Sequence, residues 1–379
     1  MGQFPPLNYR RNITIDALRG IALAIMAIDH LPHNAAGALF NAFGPIGFFS
    51  ANTCFLFLSG IVSGFTYGAV NINRGAAALR DKAWRRAGEI YLVQMALFLV
   101  VAAAGTSSQA FRSQHVYFYH HPWFGTALGA VFLYQFQFLD ILPLYCFFLF
   151  LAPFAIRQFQ KRKSWSILVP SFFFWSAAQF GLPPMPPGVD GPLFFLNPFA
   201  CQFVFFVGLY FGNRSHSGSS LAQPLHHSRV IIAVCALTAV AFFVLRMMVA
   251  FSHRLDLWEA WFAGPLAIQT QGALRLLNFA VWAYVVWRLR EPLQKIVAKN
   301  PFGSWLAFVG QHSLQVFVWT VLFATCCSLF LPPHVSRLFA RAETLLSLAT
   351  LVIPAYIHFQ YRHMWDFRKY PSVPLAGRT

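Results

Sequence analysis

The chain has 379 residues, of which 58% are hydrophobic and only 10% charged, and it carries a formal net charge of +17 with a mean hydropathy of +0.55. A soluble domain has about 25% charged residues, so the composition excludes an ordinary soluble fold. Apolar runs of about 17 to 25 residues recur from end to end, the mark of an all-α polytopic membrane protein. The positive charge does not point to nucleic acid. It clusters in short linkers, Arg10 and Arg11, Arg74 to Arg86, Arg157 to Lys163, Arg288 to Lys299 and Arg362 to Lys369, which is how chains orient in a lipid bilayer.

Membrane helices are predicted over 13–31, 48–69, 86–104, 140–157, 165–181, 195–212, 229–250, 272–289, 303–330 and 337–360. That is about ten, in a single domain over 1–379, with both termini cytoplasmic. No short apolar region with a cleavage site stands at the start, so the first apolar segment reads as a retained helix. The segment 124–138 is apolar but too short to span, and reads as re-entrant or as a half-helix. Six cysteines lie within apolar runs without CxxC spacing; they read as packing residues, and no metal site is expected.

The first helix, DALRGIALAIMAIDHLP, holds Arg19 and, after ten intervening residues, His30. Eleven positions are almost three turns, so both side chains fall on one face, roughly 16 Å apart along the axis. Charges inside a bilayer are costly and seldom idle. Asp16 lies three positions before Arg19, where it can pair with it. Asp29 can meet its neighbour His30 only if the helix loosens, which Pro32 and Gly37 would permit. An aspartate there would fix the tautomer of the imidazole. Further along, Asp140 opens a helix in LDILPLY, Asn197 and Gln202 lie in FFLNPFACQFVFFVG, and Arg246 in VLRMM. Arg275 and Asn278 lie in ALRLLNFA and His312 in VGQHSLQVFVW. So many polar groups on separate helices point to a central cavity, although each also fits interhelical hydrogen bonding. The loop 251–271, with Asp256, Trp258, Glu259 and Trp261, has the makeup of a sugar-holding surface or of an interfacial aromatic belt. No phosphate loop, nucleophile elbow, HExxH or dinucleotide fingerprint occurs.

At these residues the chain resembles the OpgC family, within the wider integral-membrane acyltransferases of the acyltransferase-three superfamily. The similarity runs through DALRGIALAIMAIDHLP, FLFLSGIVSGFTYG, LDILPLYCFFLFLAP, LNPFACQFVFFVGLYFG, LRLLNFA and VGQHSLQVFVW. The first stretch carries the most specific feature, the Arg–ten–His spacing. The resemblance implies transfer of an acyl group, succinyl in the name-giving case, from cytoplasmic acyl-CoA to a hydroxyl of a periplasmic glucan, in a bacterial inner membrane. One departure stands before FLSG, where Ser50 and Thr53 replace acidic residues of the family; this bears on which sugar or acyl donor is used.

On that reading His30 is the general base and Asp29 its partner. Asp16, Arg19, Arg85 and Arg86 form the acyl-CoA side, with the arginines on the CoA phosphates. Asp140, Asn197, Arg275, Asn278 and His312 form the acceptor side. Acyl-CoA acts as co-substrate, no further cofactor is expected, and homo-oligomerisation stays open. The competing class is a transporter or exporter of a glycan or small anion, which broken helices and intramembrane charges would also suit. A non-catalytic assembly partner of a glycan-export machine fits the loops but leaves His30 without a task.

Overall fold

The structure is a computed structural model that describes residues 12–33, 47–48, 50–182, 188–190, 193–215, 229–251, 264–332 and 334–369. Among these residues the chain is helical throughout and has no strand. The helices are α1 (Ile13–Asp29), α2 (Ala51–Gly105), the short α3 (Gln109–Gln114), α4 (Val116–His120) and α5 (Pro122–Ala130), then α6 (Ile141–Gln160), α7 (Trp165–Gln179), α8 (Pro198–Arg214) and α9 (Arg229–Phe251). They continue with α10 (Ala273–Arg288), α11 (Arg290–Lys299), α12 (Pro301–Gln311), α13 (Ser313–Phe330), α14 (Arg337–Thr350) and α15 (Val352–Lys369). Five stretches among the described residues are long and apolar enough to cross a membrane: Ala51–Gly105, Ile141–Gln160, Arg229–Met248, Ser313–Phe330 and Arg337–Tyr361. The chain is a helical membrane protein. Gly37, Asp256, Trp258, Glu259 and Trp261 lie outside the described residues.

At about 80 Å, α2 would overshoot any bilayer if it were straight. It is not, because Gly75 has φ 81° and ψ 178°, a conformation glycine alone adopts at little cost. The chain reverses there. Ser63, before the break, and Ala87, after it, both meet the start of α6, through Tyr145 at 3.4 Å and Cys146 at 3.5 Å. Close to the break, Asn71 and Gly68 meet Gln160 at the end of α6. The two arms correspond to the expected helices 48–69 and 86–104, but the basic linker between them is helical too.

Two other expected helices are divided. The stretch 303–330 is α12 and α13, broken at His312 (φ −106°, ψ 34°), and 337–360 is α14 and α15, parted at Leu351. The segment 124–138 does not cross: α5 has nine residues, about 14 Å, followed by irregular chain to Asp140. It lies on the second arm of α2, where Tyr91 donates to the Ala130 carbonyl at 3.1 Å.

The first arm of α2 and α8 carry matching glycine pairs, Gly60 with Gly64 and Gly208 with Gly212. A Cβ on Gly60 or Gly64 would collide with the carbonyl oxygens of Phe205 and Leu209, and one on Gly208 or Gly212 with those of Phe57 and Ile61. The backbones therefore meet without side chains between them, running in the same direction. Gln160 ties the same helices together at their ends, donating to Gly68 and Asn213 and accepting from Asn71. Arg74, Arg157, Lys161, Arg162, Lys163 and Arg214 gather at this end.

Replacing Gly212 by Val should lower the thermal midpoint in detergent, as overpacking costs about 1–3 kcal/mol. Gly88→Ala, whose Cβ would meet nothing within 4 Å, should leave the midpoint unchanged or raise it. Equal behaviour of the two variants would show that the crossing tolerates separation.

Candidate active site

Asn12 opens α1 by accepting the N–H groups of Thr14 and Ile15 at 3.1 and 3.3 Å. Asp16, in the first turn, is buried. One turn on, Gly20 meets the Leu306 backbone and Gly310 meets the Asp16 backbone so closely that neither position has room for a Cβ. This crossing of α1 with α12 brings Arg19 beside the break at His312. The Arg19 guanidinium donates to Ser313 Oγ, at the first residue of α13, and stands 6.0 Å from the Phe55 ring centroid.

Arg85 and Arg86 are not beside it. Arg85 is exposed, and Arg86 pairs with Glu89 at 2.9 Å, next to Ala87 and so level with Cys146 and Ser63. Phe55 lies eight positions before Ser63, about 12 Å along the helix. The three arginines therefore form two stations rather than the single cluster expected.

His30 ends α1, and its backbone N–H still donates to the Met26 carbonyl at 3.0 Å. Its ring stacks on Phe138 with centroids 4.1 Å apart and planes at 26°, and meets Phe317 edge-on at 6.4 Å. Phe138 has φ 69°, a left-handed conformation unusual for an aromatic residue and typical of functional sites. His30 Nδ1 is buried without a hydrogen-bond partner among the described residues. The expected contact with Asp29 does not form. Because the helix stays regular to His30, the two side chains diverge by about 100°, and Asp29 is exposed.

The starts of α2, α6, α8 and α10 are joined by polar contacts. Thr53 donates to Gln271 Oε1 at 2.6 Å and lies 3.0 Å from Ser50 Oγ, so the start of α2 secures the loop 264–272. Gln271 is fully buried with φ 52°. Asp140, two residues after Phe138, accepts the Leu196 N–H at 3.1 Å. Asn197 caps α8, accepting from Phe199 and Ala200, which makes it a helix-terminating group rather than a cavity-lining one. Gln202 pairs with Ser171 on α7. Asn278 accepts the Phe48 N–H at 3.0 Å, and Arg275 donates twice to the Leu266 carbonyl, at 2.8 and 2.6 Å.

His312 belongs elsewhere. It forms the break between α12 and α13, with its Nδ1 2.7 Å from His358 Nδ1 on α15, beside Arg19's partner Ser313 and not with Arg275 and Asn278. His33, to which the sequence lent no role, lies between Glu343 Oε2 at 3.1 Å and the Pro332 carbonyl at 2.7 Å. Asp190, between α7 and α8, binds the segment joining α2 to α6, accepting the N–H groups of Tyr117 and Phe118 at 2.9 and 3.2 Å and the Tyr134 hydroxyl at 2.9 Å. The Tyr134 proton is thereby committed, so the His115 Nδ1–H at 2.9 Å must be the donor to Tyr134 Oη.

A half-buried His30 and a half-buried Arg19 on one helix, the arginine beside a break in a second, fit a polar site of the kind found in membrane enzymes and transporters. The sequence decides between them. The chain matches the OpgC protein family over residues 11–363 and belongs to it, which makes it a glucan-modifying membrane enzyme of the acyltransferase type. No curated protein and no solved structure matches the chain.

Thr53→Val leaves the buried Gln271 Oε1 without its donor and should cost about 1–3 kcal/mol, read as a lowered thermal midpoint, while Thr53→Ser retains it. His115 offers a pH signature outside the spans. Burial lowers its pKa below the ordinary 6.5, with Asp190 opposing, so the unfolded chain binds the proton more readily. Its contribution to stability is present above pH 6.5 and declines as pH falls through the folded value. His115→Gln should flatten the acid limb of the stability curve; an unaltered acid limb would show that His115 is not its source.

Proposed function

We propose that the protein transfers an acyl group, succinyl by the family resemblance, from acyl-CoA to a hydroxyl of a glucan, with His30 as general base. The observation that carries this reading is His30 itself: a ring held between Phe138 and Phe317 with Nδ1 buried and unpartnered among the described residues, on the helix that also presents Arg19. A base needs an uncommitted lone pair and a ring held in place, and these contacts support both for His30. In the step, His30 takes the proton of the attacking hydroxyl, the new C–O bond forms at the thioester carbonyl, and the C–S bond breaks. The released CoA thiolate then recovers the proton.

The carbonyl oxygen needs donors as it gains charge. The first backbone N–H groups of α13 have no partners within their helix, and Phe317, from the second turn, already touches His30. These amides are the groups best suited to that task, whereas Arg19, docked on Ser313 and roughly 16 Å from His30 along α1, suits the acyl-CoA donor. Arg85 and Arg86, some 12 Å away along α2, suit the CoA phosphates, so donor recognition is divided between the two stations. Asp140, Arg275 and Asn278 remain for the acceptor side. The full arrangement is about ten spans with cytoplasmic termini in a bacterial inner membrane. It is supported by the basic groups gathered at one end of α2, α6 and α8.

His30→Ala should abolish acyl transfer to glucan while the protein still inserts and elutes as a folded species; retained turnover would remove the base assignment. Arg19→Ala should raise the apparent KM for acyl-CoA more than that for glucan; an unchanged donor KM would make Arg19 structural. Arg85→Ala should raise that KM. Thermal stabilisation of the wild type by CoA separates this reading from a transporter, which CoA should not stabilise.

A further inference from the structure

The helix α9 is almost entirely outward-facing, with 6% of its apolar window buried. Among its described residues Ala239 is the one it buries, and Arg246 is half-buried. Its guanidinium sits 5.5 Å from the Phe48 ring centroid, and its Nε is buried without a hydrogen-bond partner among the described residues. Arg275, on the neighbouring α10, is 8% exposed, and its hydrogen bonds go to a neutral carbonyl. The two are held around one element: Phe48 lies under Arg246, and its N–H is bound by Asn278, one turn beyond Arg275. Arg246 lies close enough for its field to act on Arg275. No carboxylate pairs with either among the described residues.

Two guanidinium groups on adjacent helices, one buried and one half-buried, repel each other, and each loses hydration. Among the described residues, a pair kept so with uncommitted N–H groups is short of an anion at that place. A neutral sugar would not relieve the repulsion, whereas a planar or tetrahedral oxyanion would bind both forks. We propose that Arg246 and Arg275 form an oxyanion-binding site between α9 and α10, taking a carboxylate or phosphate group. Two sources share this chemistry: the free carboxylate of a dicarboxylic acyl group, and the phosphate of a lipid headgroup. Only the first rests on the transferase reading; the site itself does not.

The test is thermal stabilisation of the full chain in non-ionic detergent by succinate, by glycerol phosphate and by neutral succinamide. Arg246→Gln is the principal variant, because Arg246 makes no hydrogen bond among the described residues whose loss would unfold the protein; Arg246→Lys is the conservative one. Stabilisation by succinate, with a half-saturating concentration raised about tenfold or more in Arg246→Gln and less in Arg246→Lys, supports the site and assigns it the acyl carboxylate. A preference for glycerol phosphate with the same dependence on Arg246 supports the site and assigns it the headgroup. No shift with either anion, equal shifts in wild type and Arg246→Gln, or equal effects of succinamide and succinate would overturn it. Succinate binding through Arg246 in a protein that transfers no acyl group would leave the site standing and remove the transferase reading instead.

Discussion

The arrangement depends on backbones that touch where glycine removes the side chain. In a bilayer, helices gain little from hiding apolar surface from one another, so close van der Waals contact must hold them. Gly60, Gly64, Gly208 and Gly212 lock the first arm of α2 to α8, and Gly20 with Gly310 locks α1 to α12. The second crossing has a chemical consequence as well. It fixes the height of Arg19 relative to the break at His312, so the arginine reaches Ser313 rather than lipid headgroups. A bulkier residue at either glycine would move the cation away from the start of α13.

Around this frame the polar groups sort into structural and uncommitted ones. Asn197, Gln202, Gln160 and Thr53 spend their hydrogen bonds on caps and helix-to-helix contacts. His30 and Arg246 keep buried nitrogens without partners among the described residues. The contrast matters because a buried polar atom left unsatisfied costs about 1–3 kcal/mol, and a fold that can satisfy Gln271 so thoroughly has the means to satisfy others.

Much of this was legible in the residues. The spacing from Arg19 to His30 gave a common face, and the apolar runs gave the helices and the break-prone segment 124–138. The glycine pairs were also visible as four-residue spacings in FLFLSGIVSGFTYG and FVFFVGLYFG, but spacing alone does not say which helix answers which. The contact of Asp29 with His30 failed because it required the helix to loosen before Pro32, and the hydrogen bond from His30 to Met26 keeps it wound. Phe138 and Gln271 gave no warning, since a left-handed backbone at a residue other than glycine is imposed by packing and leaves no compositional trace. His33 found its partner Glu343 310 positions away, beyond the range of any local pattern.

The aromatic walls around His30 also bear on which nucleophile wins. A histidine able to deprotonate a sugar hydroxyl can equally deprotonate water, and water is by far the more abundant acceptor. An activated thioester beside an open imidazole would be squandered by hydrolysis. With one ring of Phe138 lying flat on the imidazole and the edge of Phe317 against it, two approaches are closed to small molecules that bring no binding energy of their own. A glucan, anchored by contacts far from the reacting hydroxyl, can displace that barrier where a lone water cannot. If His30 is the base proposed above, the left-handed turn at Phe138 favours transfer to the glucan over hydrolysis of the thioester.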